Sequence, residues 1–215
     1  MLYCVHIHFI CTPMAYDTLA SEDSIQNVLA ALPARNITVH RADTAADALA
    51  LVKGLIPDGA SVMTGSSTTL QEIGFVDLLK SGAHPWNNLK DAITSETDPA
   101  KQAALRAQSV HADYFLGSIH ALTEDGEALI ASGSGSQLPA YTFTSPNVIW
   151  VVGVQKIVPS TEDALKRLRE YVWPKEDARM KSTGAAGSTI GKILLFEKEL
   201  YRKIHLVLVN EALGF

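Results

Sequence analysis

Three short segments rich in glycine and hydroxyl side chains carry the most direct chemical content of this chain. They are residues 64–69 (TGSSTT), 132–137 (SGSGSQ) and 182–188 (STGAAGS). Glycine admits positive φ and close approach of the backbone to a ligand. Successive N–H groups then form an anion-binding nest, and a helix that follows adds its positive end. The candidate ligand-binding residues are Gly65, Ser66, Ser67 and Thr68 in the first loop, Ser134, Gly135, Ser136 and Gln137 in the second, and Gly184 in the third. Arg179 and Lys181, just ahead of the third loop, are placed to offset the charge of an anion held there. The alternative for the first loop is a Ser/Thr helix cap completed by Glu72, which is also a candidate base. For Arg179 and Lys181 the alternative is a solvated basic face. The first loop is neither a Walker A sequence, since no Gly-Lys-Ser/Thr follows, nor a G-x-G-x-x-G fingerprint.

Candidates for proton transfer are His120 and Glu124, with Asp125 beside them. The competing expectation is a partly buried strand histidine next to the acids of a hairpin turn. Lys156 closes a long apolar run, where a lysine faces either a ligand crevice or, more ordinarily, solvent by snorkelling. The segment His84-Pro85-Trp86-Asn87-Asn88 suits a lid, a subunit contact or a plain surface loop. His6 and His8 would share one face of a strand and make a conceivable metal pair, but an added strand or an upstream extension explains them as well. There is no G-x-S-x-G elbow and no H-E-x-x-H.

The elements that must position these groups are legible from periodicity. Residues 21–32 show a helical stripe (Ile25, Val28, Leu29, Leu32) stopped by Pro33. Strand-like alternation follows at 36–41, an Ala/Leu-rich helix at 44–55, and a short strand at 61–64 leading into the first loop. A helix is expected over 70–79, broken by Ser81-Gly82, and another over 101–110 behind Asp98-Pro99. A strand begins at 114–117. Residues 119–122 and 127–131 flank a Gly turn as a hairpin. The run NVIWVVGV, 147–154, reads as a strand buried on both faces. A helix over 161–171, a basic segment leading to the third loop, and strands at 192–196 and 204–209 complete the chain. Helices and strands alternate first and strands cluster later. That predicts an α/β fold with a mostly parallel sheet and an added antiparallel portion.

The 215 residues, 47% of them hydrophobic, suit one globular domain. A formal net charge of -5 argues against nucleic acid as the main partner. The apolar start is too short to span a bilayer and lacks a basic n-region, so no membrane association is expected. Two cysteines, Cys4 and Cys11, imply neither a disulfide framework nor an iron–sulfur cluster in this chain, and a cytoplasmic location is the natural expectation. Met14 opens a more ordinary N-terminus, which divides the chain into an extension of residues 1–13 and a domain of 14–215.

Taken in order, MTGSSTTLQEIG, ADYFLGSIHALTEDGEALIASGSGSQLP, NVIWVVGVQKIVPSTEDALKRLREY, ARMKSTGAAGS and LVNEALGF resemble the LUD domain family, the lactate-utilisation proteins, over residues 14–215. The resemblance implies a Rossmann-like core of the NagB/RpiA/CoA-transferase type, in which Gly65 to Thr68 match a phosphate-binding loop. It also implies a role in oxidation of L-lactate beside partners that carry iron–sulfur clusters, with a small anionic metabolite as ligand. In related isomerases the position matching His120 is a catalytic aspartate, a departure that sets aldose–ketose isomerase chemistry in question. Two other readings stand beside it. One is an independent isomerase or CoA-transferase acting on a sugar phosphate or acyl-CoA. The other is a purely interacting subunit whose loops are structural. Cofactor, substrate and homo-oligomeric state are left open.

Overall fold

The computed structural model describes residues 16–215. The extension, both cysteines, the His6/His8 pair and Met14 lie outside the described residues.

Helix α1 (Glu22–Ala31) is capped by the Ser21 side chain, and β1 (Ile37–Ala42) follows a short 3-10 turn. Helix α2 (Ala45–Leu55) starts on a full capping box, in which Thr44 and Asp47 satisfy each other's backbone N–H. Strand β2 (Ser61–Thr64) delivers the first loop to α3 (Thr68–Glu72) and α4 (Phe75–Ser81). The single helix expected over 70–79 is therefore two, separated by Gly74 in the left-handed conformation (φ 80°). Next come β3 (Asn87–Asn88), α5 (Leu89–Ser95), α6 (Pro99–Ser109) and β4 (Tyr114–Gly117). The hairpin pairs β5 (Ala121–Thr123) with β6 (Ala128–Ser132). Strand β7 (Asn147–Gly153) runs through a 3-10 turn (Val154–Lys156) into β8 (Ile157–Val158). Helix α7 (Thr161–Arg167) continues through a π-helical stretch into α8 (Trp173–Ser182). The basic segment ahead of the third loop is thus helical. Its charges pair along the helix, Arg179 with Glu176 and Lys181 with Asp177. Strands β9 (Lys192–Phe196) and β10 (Lys203–Val209) complete the described chain.

The class is α/β, as expected. Six strands form a parallel sheet in the order β1-β10-β7-β4-β2-β3, and four form a mixed sheet in the order β8-β5-β6-β9. Strand β7 is buried on both faces because its side chains alternate between two cores. Val148, Trp150 and Val152 meet α1 and the mixed sheet, whereas Ile149 and Val151 meet the side of α2, α3 and α4. A third core lies between the mixed sheet and α7, through Ala121, Leu129, Ala164 and Leu168. Trp86 is buried in the second core, with its indole N–H on the Ile56 carbonyl at 3.2 Å, which anchors the segment read as a lid, a subunit contact or a plain surface loop. No helix among the described residues is long and apolar enough to cross a membrane.

Candidate functional site

A cavity of about 320 Å³ opens at the carboxyl ends of the central parallel strands, where open α/β sheets place their ligands. Strand β2 gives the first loop, β4 gives Ser118 to His120, β7 gives Lys156, and residues just past β10 close one side. The first two loops form much of its wall, whereas the third touches it only through its last residue, Ser188. Gly65 to Thr69, Ser132 to Ser134 with Ser136 and Gln137, and Ser188 to Ile190 line the wall. The second loop meets the segment past the third by close backbone approach. Gly191 donates its N–H to the Ser132 carbonyl (3.1 Å), and a Cβ on Gly191 would strike the Gly133 carbonyl oxygen. At the other contact, Gly65 faces the Gln137 Cβ.

Local chemistry sets the first loop. Ser67 caps α3 by accepting from Leu70 N (3.2 Å), whereas Glu72 is no cap. Its Oε2 accepts the Gly214 N–H at 2.5 Å instead and holds the segment that follows β10. On the far side, Lys90 Nζ donates to the carbonyls of Thr64 (3.3 Å) and Gly65 (3.2 Å) and to the Thr64 hydroxyl (3.2 Å). A trans peptide sets N–H antiparallel to C=O, so the N–H groups of Gly65 and Ser66 point away from Lys90. Burial, then the nearby Lys80 and Arg106, hold the Lys90 amine below its ordinary range. Nothing in its local sequence marks Lys90 for this task.

Lys156 departs most from expectation. It does not snorkel: only 2% of it is exposed, and it lines the cavity floor. Its Nζ lies 3.0 Å from both Thr69 Oγ1 and Ser118 Oγ. Among the described residues no carboxylate stands within ion-pair distance of it; Glu72 acts on it only at longer range. Burial, reinforced by the Arg167 charge, pulls the amine down to about 7. Arg167 is itself fully buried and packs over the Tyr171 and Tyr16 rings.

His120 lines the cavity too, but its geometry makes it a donor. Nδ1 accepts the Ala131 N–H at 3.0 Å, which leaves the proton on Nε2. Its carbonyl takes a hydrogen bond from the Arg167 guanidinium. Burial, with Lys156 and Arg167 nearby, pushes the imidazole down to about 3, so it stays neutral and is a poor base. Tyr141, missed at the level of sequence, also lines the cavity. Its ring makes edge contacts with Phe115 and Trp150, burial raises its phenol above the ordinary value, and its hydroxyl makes no hydrogen bond to another described residue.

Of the other sequence candidates, Arg179 lines the cavity but is held by both Glu176 oxygens at 2.7 Å. Glu124, Gly135, Lys181 and Gly184 do not line it. Glu124 accepts from Asn27 in the hairpin turn (2.8 Å), and Lys181 is tied to Asp177 (2.7 Å). The floor groups Lys156, His120 and Tyr141 present donors, and the cavity acids and amides are engaged with protein, Glu176 with Arg179 and Gln137 Oε1 with Ser132. Such a lining has the chemistry to meet a ligand rich in acceptors.

The LUD domain model matches residues 25–209. A search of curated proteins finds no match. Among solved structures, the chain is similar to a duf162 family protein from Deinococcus radiodurans, at 11% identity, 89% coverage of this chain, 98% of that chain and a TM-score of 0.48. It is also similar to eIF2B delta from Chaetomium thermophilum, at 16% identity, 55% coverage of this chain, 49% of that chain and a TM-score of 0.35.

Proposed function

The chain belongs to the LUD domain family, and from that premise we propose that it binds a small carboxylate metabolite, of the 2-hydroxy or 2-oxo acid class, in the cavity above Lys156. The observation that carries this reading is the buried Lys156 amine, with no carboxylate of the described residues within ion-pair distance, in a cavity that also presents the His120 and Tyr141 donors. An isolated buried charge is costly until an opposite charge arrives. The N–H groups and hydroxyls of the first loop would take the carboxylate, and His120 Nε2–H and Tyr141 Oη–H would meet the adjacent oxygen. The family's association with L-lactate utilisation supports reading the site in that context, with iron–sulfur partner proteins as the electron acceptors.

A thermal-shift series with L-lactate, pyruvate, ribose 5-phosphate and acetyl-CoA tests this. Lactate or pyruvate should stabilise the protein, by about 2.7 kcal/mol at a hundredfold excess over Kd. The shift should vanish in Lys156→Met. A response to the sugar phosphate or CoA ester alone would favour the isomerase or transferase reading. No response, with an iron–sulfur protein co-purifying, would favour a purely interacting subunit.

A further inference from the structure

We propose that the Lys156 amine condenses reversibly with the carbonyl of a small 2-oxo acid to form an imine, which makes this residue a covalent carbonyl-recognition site. The inference rests on the reading of the cavity as a carboxylate site and adds a chemical role for its lysine.

The hydrogen-bond order around Nζ supports it. Thr69 Oγ1 donates to the Leu213 carbonyl (3.4 Å) or to Ser118 Oγ (3.3 Å), and Ser118 Oγ donates to the Ile119 carbonyl (3.3 Å). With those hydroxyl protons committed, both oxygens accept from Lys156. A neutral amine has two N–H bonds, so both are used and the lone pair is left pointing in a remaining direction. Gly214 lies next to the amine without a side chain: a Cβ there would stand 3.2 Å from Nζ. Burial favours the uncharged amine, the form that attacks carbonyls. Tyr141 and His120 supply donors for the carbonyl oxygen in the same cavity.

The step balances without a further reactant. The nitrogen lone pair forms the N–C bond while the carbonyl π pair moves to oxygen. The proton lost by nitrogen ends on that oxygen and gives a carbinolamine. Loss of water then forms the C=N bond, with no net oxidation or reduction.

The test is reductive trapping. The full-length protein is incubated with pyruvate, reduced with sodium borohydride, and examined by intact mass and peptide mapping. The expected result is one adduct per chain, on the peptide holding Lys156, absent from Lys156→Arg and suppressed by L-lactate, which has no ketone carbonyl. Mapping on the unmodified sequence locates the adduct even if the variant folds poorly. Labelling spread over surface lysines, or none at Lys156, overturns the proposal. If pyruvate still gives a thermal shift without an adduct, the imine fails and the carboxylate site stands; if neither occurs, both fail.

Discussion

At the scale of single residues, the electrostatics of the cavity turn on Lys156. Its folded-state value of about 7 lies below the ordinary 10.5 of a lysine in the unfolded chain. Between those limits the unfolded chain binds a proton that the folded protein does not, so stability gains from this residue as pH rises through the window. Below about 7 the burial cost is present in full. The stability of unliganded Lys156→Met relative to the parent should therefore be highest near neutrality and below. It should fall by up to about 1.4 kcal/mol per pH unit on the way to 10.5; chemical denaturation at several pH values reads this directly. A difference independent of pH would sink the assignment. His120 shows how a reasonable reading of residue type is redirected by its neighbours. Histidine beside carboxylates suggested proton transfer, yet Ala131 N–H occupies Nδ1, and Glu124 is engaged with Asn27 outside the cavity.

At the scale of elements, the site depends on strand ends that lack bulk. Gly117 ends β4, and a Cβ there would fall on the Tyr141 Oη. Gly117→Ala must displace the phenol and should cost about 1–3 kcal/mol by overpacking. In a Tyr141→Phe background the obstructing oxygen is gone and the nearest atom would be Cζ at 3.0 Å, so the cost should be smaller. A double-mutant cycle in urea measures the coupling; strict additivity would show that the glycine serves something else. Capping chemistry sets the helix starts: Ser21, Thr44, Asp98 and Ser160 each hold an N-terminal N–H of the helix they precede. The split between α3 and α4 was not legible in the sequence, because apolar periodicity continues across Gly74 while its backbone turns left-handed.

At the scale of the whole molecule, the last strand in the chain is an interior strand of the sheet. Strand β10 lies between β1 and β7 and pairs with both over its full length. A chain lacking residues 203–215 should leave β1 without its partner and fail to show a cooperative unfolding transition by circular dichroism; a cooperative melt would contradict this dependence. The sequence by itself determined the α/β class, most strands, the starts of α1, α2, α6 and α7, and the three loops. Each of those follows from local periodicity, glycine and capping chemistry. Only the tertiary structure decided that β10 inserts beside β1, that the first two loops and Ser188 of the third face one cavity, and that Lys156 turns inward. The reason is physical: a lysine at a strand end snorkels unless other segments cover it. Thr69, Ser118 and Gly214, distant in sequence, are brought around Lys156 only when four parallel strands align.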